Sequence, residues 1–175
     1  MDNHGMAAPT LPYGVRAAIE ADLEQINAIY GHYALETHHT FDLEPTTLEW
    51  RSEWFAQYST AGPHRLLVAA AGTQVLGYAS SSSLRPRPAY LTSVETTVYV
   101  AQGNIGRGIG RALYRELFTQ LQPEDVHRAY AGIALPNPAS ERLHERFGFR
   151  QVGLFHEQGR KFGRYWDVAW FEKWL

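Results

Sequence analysis

The sequence of 175 residues contains no cysteine. Its absence excludes disulfide bridges, thiolate metal sites and an acyl-cysteine intermediate. Long hydrophobic runs are also missing, since the longest aliphatic run, 66–71, is much too short to cross a bilayer. The first 12 residues lack the basic start and the apolar stretch of a signal peptide. We therefore expect a cytoplasmic protein with a flexible N-terminus at residues 1–12.

A concentration of charge of one sign is likewise absent. The chain has 16 Lys and Arg residues, 18 Asp and Glu residues, a formal net charge of −2 and no basic tract. It offers nothing to a nucleic-acid backbone or to an anionic membrane surface. Adjacent His38 and His39 have no Asp, Glu or Cys at ligand spacing, so we expect no metal site.

The chain does contain enough apolar material for one folded domain. Hydrophobic residues make up 45% of it and aromatic residues 13%, which is sufficient to fill a core at this length. No internal repeat, low-complexity tract or second domain boundary interrupts the sequence. Residues 13–175 are therefore expected to form a single domain.

The hydrophobic pattern predicts a mixed α/β fold. Apolar residues recur at helical spacing from Asp22 onward and every four positions from Ile109 to Leu121, which is typical of helices with one buried face. Thr46 and Glu49 form a capping-box pattern, which predicts that a helix begins there. Its aromatic residues are expected to turn inward: Trp50, Trp54, Phe55 and Tyr58. Strands are predicted at 15–18, 65–71, 74–82, 91–100, 128–134, 151–156 and 165–171, and a further helix at 138–147.

A glycine-rich loop lies between a predicted strand and a predicted helix. It reads Gly106-Arg107-Gly108-Ile109-Gly110-Arg111. Glycines leave space for a ligand beside the backbone, and the N–H groups and dipole of a helix N-terminus favour an anion. No Gly-Lys-Ser/Thr follows, which excludes a P-loop, and the glycine spacing does not fit a Rossmann dinucleotide site. The pattern indicates a pyrophosphate site, with an empty glycine turn as the alternative.

The strand before this loop carries one acid. Along Val94–Val100, alternation puts Val94, Thr96, Val98 and Val100 on one side and Glu95, Thr97 and Tyr99 on the other. Glu95 therefore shares the more polar face.

Two further segments follow the glycine loop: Asn137-Pro138-Ala139-Ser140-Glu141-Arg142-Leu143-His144 and Gly148-Phe149. Together with the acidic strand and the glycine loop, they make the chain resemble the GNAT N-acetyltransferases from about Val15 to Trp170. The loop 85–90 and Gly159-x-Lys161 narrow the resemblance to the phosphinothricin and methionine-sulfoximine acetyltransferase branch. The resemblance implies a GNAT fold, which is a mixed, mostly antiparallel central sheet flanked by helices on both faces. It also implies acetyl-CoA as the cosubstrate, with its pyrophosphate in the glycine loop.

The resemblance also implies roles for individual residues. Glu95 would be the general base that deprotonates the amine, the alternative being a solvated carboxylate at the sheet edge. His144 stands where many GNAT enzymes have Tyr, and it is a candidate acid for the leaving thiolate or a structural histidine. Acetyl-CoA would be held by Val98, Tyr99, Val100, Gly106, Arg107, Gly108, Ile109, Gly110, Arg111, Asn137, Ser140 and Arg146. Asn137 could also be a helix cap, and Arg111 and Arg146 could be solvated helix charges.

The acceptor is expected to be small and anionic. Arg85 and Arg87 lie in a proline-rich loop beside the acidic strand, where they could clamp a carboxylate, phosphinate or sulfoximine oxygen. Tyr90 and Lys161 match branch positions that shape the same pocket, and the alternative is a basic surface loop. The family usually has Gln or Arg where this chain has Ile105, a loss of one side-chain contact that leaves the backbone site intact.

These features predict an acetyl-CoA-dependent N-acetyltransferase that acts on the amino group of a small amino-acid-like acceptor by direct transfer in a ternary complex. The alternatives are an acetyltransferase for another amine, such as a protein N-terminus or a polyamine, and a non-catalytic acetyl-CoA-binding module. The branch forms homodimers, and a C-terminal aromatic group, Trp166, Trp170, Phe171 and Trp174, is either the dimer surface or the core of a monomer.

Overall fold

A computed structural model describes residues 12–175, so the predicted flexible N-terminus lies outside the described residues except for Pro12. Four helices are present within this range: α1 (Leu23–Glu36), α2 (Leu48–Phe55), α3 (Ile109–Leu121) and α4 (Pro138–Arg146). The strands are β1 (Gly14–Ala17), β2 (Arg65–Ala71), β3 (Gln74–Ser83), β4 (Ser93–Val100), β5 (Arg128–Ala134), β6 (Arg150–Lys161) and β7 (Arg164–Trp174). No helix within residues 12–175 is long and apolar enough to cross a membrane.

The seven strands form one sheet in the order β1-β2-β3-β4-β5-β7-β6. Neighbouring strands are antiparallel except β4 and β5, which run parallel and are joined through α3. A parallel pair needs such a crossover, because no tight turn can bring the chain back to the starting end. The predicted α/β architecture with a mixed, mostly antiparallel sheet is confirmed.

Helices cover both faces of the sheet. On one face, Leu113, Leu117 and Leu121 of α3 are fully buried against the strands, as their four-residue spacing predicts. On the other face, Ile26 and Ile29 of α1 pack with Tyr78 of β3. Burying one such side chain contributes about 1.5–3 kcal/mol, so the two hydrophobic layers fix the helices on the sheet.

The start of α2 differs from the prediction by one residue. Thr47 is the N-cap, and its hydroxyl accepts a hydrogen bond from the backbone N–H of Trp50 at 3.1 Å. The Thr46 hydroxyl instead accepts from the guanidinium of Arg51 at 2.9 Å. Arg51 is 2% exposed and takes the inward position, whereas Trp50 is 46% exposed. The predicted capping box and the inward orientation of Trp50 are therefore wrong, because the buried guanidinium sets the rotation of the helix.

Strands β6 and β7 are longer than the prediction of 151–156 and 165–171. They form a hairpin whose turn contains Phe162 and Gly163, both with positive φ. Two irregularities in the β6–β7 pairing interrupt the alternation, between Gln151 and Gly153 and between Phe155 and Gly159. A bulge shifts the alternation of side chains between the two faces. The sequence pattern therefore predicts a strand that is shorter than the one observed.

The C-terminal aromatic residues are mostly packed within the chain. Phe171 is buried, Trp170 packs against Gly132 of β5, and Trp166 stacks on His38 with ring centroids 4.0 Å apart. Trp174 remains 62% exposed. A different apolar group is exposed on the β6–β7 hairpin: Val152, Leu154, Phe155, Phe162 and Tyr165.

Candidate active site

The candidate site is a gap in the sheet between β4 and β5. The two strands pair from Ser93 to Glu95, opposite Arg128 to Tyr130, and then diverge although β4 continues to Val100. A cavity of about 730 Å³ is lined by both strands and by the first turns of α3 and α4. Because a diverging strand has lost its neighbour, its backbone N–H and C=O groups on that side are free to bind a ligand.

The glycine loop lies at one end of this cavity. Gly106 and Gly108 have φ values of 81° and 80°, in the left-handed region that favours glycine, and a Cβ at either would meet no atom within 4 Å. The N–H of Ala112 donates to the Gly108 carbonyl at 3.0 Å, closing the first turn of α3. The earlier N–H groups of that turn have no intrahelical acceptor, so they are available to bind an anion.

Gly110 is required for helix packing and not for a left-handed backbone. It lies within α3, where an added Cβ would be 3.2 Å from Leu143 of α4 and 3.8 Å from Val98 of β4. The missing side chain lets α3 approach α4 and the strand closely. The expectation was that the glycines leave room for a phosphate. The open space at Gly106 and Gly108 fits that expectation better than the packing at Gly110 does.

The first turn of α4 forms the opposite wall. The Asn137 side-chain oxygen accepts from the backbone N–H of Ser140 at 3.2 Å, so Asn137 caps the helix and also lines the cavity. Ser140 lines the cavity too. Arg111 and Arg146 are exposed at its rim, whereas Arg107 is outside the lining and donates to the Asn104 side chain at 2.9 Å.

The free edge of β4 forms the floor with Val98, Tyr99 and Val100. The Tyr33 hydroxyl donates to the Val100 carbonyl at 2.7 Å, so that carbonyl already has one donor. The Tyr99 ring lies on the α1 face, 4.9 Å from the ring of Tyr33. These contacts fix the position of the edge strand beside the cavity.

Glu95 lies where β4 and β5 begin to separate. Its side chain is on the α1 face of the sheet with Thr97, as the alternation predicts, and Thr97 lines the cavity. The Glu95 side chain itself is half-buried and is outside the cavity lining. Burial raises the pKa of its carboxyl group, and the positive charge of Arg85 opposes part of this rise. A carboxylate with a raised pKa is a stronger base than an exposed one.

His144 is buried in α4 with both ring nitrogens engaged. Nδ1 lies 2.8 Å from the Ser140 carbonyl, which can only accept, so Nδ1 carries the hydrogen. Nε2 then accepts from the Tyr114 hydroxyl at 2.9 Å. Burial lowers the pKa of His144, which favours this neutral form. The ring lines the cavity, yet in this arrangement it has no proton directed at a ligand.

The residues that were predicted to bind the acetyl acceptor are spread around the site rather than gathered in the cavity. Arg85, Arg87 and Tyr90 are exposed and lie outside its lining, although Arg85 is close enough to Glu95 to lower its pKa. Lys161 is 4% exposed, and its ammonium group donates to the Thr40 carbonyl at 2.7 Å and to the Tyr33 carbonyl at 3.5 Å. It therefore holds the α1–α2 loop onto β6.

The acetyltransferase (GNAT) domain family matches residues 15–170 of the chain. The chain belongs to the GNAT acetyltransferase family. This finding confirms the predicted fold and the predicted enzyme class.

Relatives within the GNAT family extend over nearly the whole chain. A phosphinothricin N-acetyltransferase of Streptomyces coelicolor is 59% identical over 161 residues, which is 91% of this chain and 94% of the relative. An L-methionine sulfoximine/L-methionine sulfone acetyltransferase of Pseudomonas aeruginosa is 34% identical over 158 residues, 90% of this chain and 92% of the relative. The solved structure of a phosphinothricin acetyltransferase from Sinorhizobium meliloti in complex with acetyl-CoA has a TM-score of 0.88 and 31% identity, covering 94% and 89% of the two chains.

The cavity of this GNAT enzyme suits the parts of acetyl-CoA. Free N–H groups and open space at the α3 N-terminus match a pyrophosphate, and the free edge of β4 matches an amide-containing arm. No group of three or more potential metal-ligating His, Cys, Asp or Glu side chains occurs within residues 12–175.

Sequence reasoning missed several residues of the cavity lining, among them Tyr33, His39, Thr97 and Tyr114. Thr97 could have been found, because alternation puts it on the same side as Glu95. The helical pattern assigns Tyr33 to the core, and the α3 stripe does not include Tyr114. His39 carries no signal other than its neighbour His38.

Proposed function

We propose that this enzyme transfers the acetyl group of acetyl-CoA to the amino group of a small amino-acid-like acceptor, of the phosphinothricin or methionine-sulfoximine type. The observation that carries the proposal is the continuity of the cavity. It extends from the N-terminus of α3 along the free edge of β4 to Thr97, which shares the face of Glu95. Cofactor and acceptor can thus meet within one ternary complex, and the lack of cysteine excludes an acyl-cysteine intermediate.

In the proposed mechanism, Glu95 accepts a proton from the amine, directly or through a water. The amine nitrogen attacks the thioester carbonyl, and a free backbone N–H of the β4 edge stabilises the oxyanion. The pyrophosphate binds the glycine loop and the first turn of α3, with Arg111 and Arg146 at the rim. The collapse of the intermediate releases the thiolate of CoA.

In this proposal His144 has a supporting role. Its Nδ1–H is used by Ser140 and its Nε2 accepts from Tyr114, so the leaving thiolate takes its proton from solvent or from a rearranged Tyr114–His144 pair. In this proposal Lys161 shapes the acceptor end through the Thr40 carbonyl of the α1–α2 loop and the Tyr33 carbonyl of α1.

A thiol-release assay over a panel of amines tests the proposed function. The panel contains phosphinothricin, methionine sulfoximine, ordinary amino acids, a polyamine and a peptide N-terminus. Because the chain has no cysteine, the enzyme contributes no thiol background. We expect the first two acceptors to react fastest. Preference for the polyamine or the peptide would support another amine acetyltransferase, and release with none would support a non-catalytic acetyl-CoA-binding module.

Replacing Arg85 with Ala is expected to weaken use of the acceptor more than Arg87→Ala does, with little effect on acetyl-CoA affinity. Losing one charge-assisted hydrogen bond costs about 1.5–3 kcal/mol. Arg85 also lowers the pKa of Glu95, so its loss should move the acid limb of kcat/KM to higher pH. Steady-state kinetics across pH measure both effects. An unchanged Michaelis constant and turnover in both variants, with uncharged amines reacting equally well, would contradict the proposed arginine clamp.

We also propose that the enzyme is a cytoplasmic homodimer that uses the exposed apolar group of the β6–β7 hairpin. β6 is an edge strand, and Leu154 and Phe155 are 39% and 54% exposed on it. Light scattering at micromolar concentration should give twice the protomer mass of 19.8 kDa. Phe155→Ser should shift the population toward monomer, whereas Ile19→Ser, at a residue 54% exposed elsewhere on the chain, should not. A monomeric mass for the unmodified protein would oppose the proposal.

A further inference from the structure

His39 lies in the loop between α1 and α2 and is not used by the mechanism above. Its ring lines the cavity together with Thr97 and Tyr99, on the face of the sheet that carries Glu95. Neither ring nitrogen of His39 forms a hydrogen bond with any residue between 12 and 175, and neither is a fully buried unpartnered atom. An imidazole with accessible nitrogens therefore faces the space where an acceptor amine would bind.

The neighbours of His39 hold the loop in place. The His38 ring stacks on Trp166 and its Nε2 lies 3.0 Å from the Pro136 carbonyl. The Thr40 carbonyl accepts from Lys161. The Phe41 ring packs so closely over Gly159 that a Cβ would not fit there. With the residues on both sides of His39 anchored to β6, β7 and the β5–α4 loop, the intervening side chain is held toward the cavity.

We propose that His39 is a second proton acceptor of the acetyl transfer and removes the first proton from the ammonium group of the bound acceptor. This inference rests on the proposed function. An amino acid binds mainly as an ammonium ion, and two protons must leave its nitrogen before the amide is complete. Glu95 has one carboxylate and takes the second of these protons.

Two protons leave the acceptor nitrogen in the proposed reaction. The ammonium gives a proton to the unprotonated nitrogen of His39, and the freed lone pair forms the N–C bond while the carbonyl electron pair moves onto oxygen. The nitrogen then loses its second proton to Glu95, the carbonyl re-forms and the C–S bond breaks. The thiolate takes a proton from solvent, and His39 and Glu95 return theirs. One acetyl-CoA and one ammonium thus yield one amide, one thiol and one proton.

The surroundings of His39 keep it ready to accept a proton at neutral pH. The titratable groups facing it are His38 of the same loop, Tyr33 of α1 and Lys161 of β6. Burial lowers its pKa, and the charges of His38 and Lys161 lower it further. The proton-accepting form exists above the pKa, so it predominates at neutral pH.

Matched ring variants test the inference. His39→Phe removes both nitrogens while keeping a flat ring, and it should lower turnover about 100-fold, near the lower end for a general base because Glu95 remains. His64→Phe makes the same change at a partly buried histidine outside the cavity lining and should leave turnover near that of the unmodified enzyme. Thiol release at saturating acetyl-CoA and phosphinothricin measures both, and circular dichroism checks the fold.

Chemical rescue separates proton transfer from loop structure. Imidazole added to His39→Ala should restore turnover in a saturable manner and should have no effect on Glu95→Gln. If the two Phe variants turn over alike, or if imidazole fails to restore His39→Ala, the inference is wrong. An inactive unmodified enzyme would overturn the proposed function and this inference together, whereas an active one with indistinguishable Phe variants would overturn this inference alone.

Discussion

Glu95→Gln should lower turnover by about two to four orders of magnitude, the span expected for the loss of a general base. The substitution keeps the size and polarity of the side chain and removes its basicity. Because the cofactor contacts lie along the β4 edge and the α3 N-terminus, acetyl-CoA affinity should remain close to that of the unmodified enzyme. Thiol release with both substrates saturating gives turnover, and calorimetry gives the affinity.

The pH dependence provides a second measurement for Glu95. A base acts in its deprotonated form, so activity falls as the pH drops through its pKa. Burial raises that pKa, so the acid limb of kcat/KM should lie above the range of an ordinary glutamate, and Glu95→Gln should remove its contribution. Glu116→Gln, on α3, is the control, since that side chain bonds Gln120 and lies outside the cavity lining. Near-normal turnover of Glu95→Gln at neutral pH would refute the base assignment.

Gly108→Val should weaken acetyl-CoA binding by about 10- to 100-fold or more, since losing charge-assisted contacts costs about 1.5–3 kcal/mol and 1.4 kcal/mol is tenfold in affinity. The added side chain would occupy the open space beside the free N–H groups of α3. It also strains the backbone, because φ at Gly108 is 80°. Calorimetric titration with acetyl-CoA measures the loss.

Gly72→Val separates backbone strain from blockage of the site. Gly72 also has a positive φ, 60°, and open space where a Cβ would lie, but it sits in the β2–β3 turn away from the cavity. Both variants should lose stability through strain in thermal unfolding, whereas only Gly108→Val should lose affinity. Equal binding by the two proteins would mean that the glycine loop is a turn without a ligand.

The prediction succeeded where the signal is local or periodic. The α3 stripe from Ile109 to Leu121 is buried as its spacing requires. The alternation along β4 correctly put Thr97 on the face of Glu95, and Gly106 and Gly108 do have the left-handed backbone that glycine permits. Each of these features depends on a few neighbouring residues, which is why one sequence is sufficient to predict it.

The prediction was wrong where a distant residue decides the local structure. The α2 cap moved to Thr47 because Arg51 is buried against α1, where its guanidinium donates to the Asn27 side-chain oxygen at 3.1 Å and lies 5.0 Å from the centre of the Tyr30 ring. The strand at 151–156 proved longer because pairing with β7 continues beyond the bulges that break its alternation. Neither partner is adjacent in sequence.

The sequence by itself determined the α/β class, the family, the glycine loop and the acid on β4, since these rest on spacing within short segments. The tertiary structure alone decided which side chains are free to act. His144 is engaged by Ser140 and Tyr114, and Lys161 by the Thr40 carbonyl of the α1–α2 loop, while the same loop holds His39 at the cavity. Hydrogen bonds between residues far apart in the chain settle this, and they exist only once the sheet has brought α1, α3, α4 and β6 together.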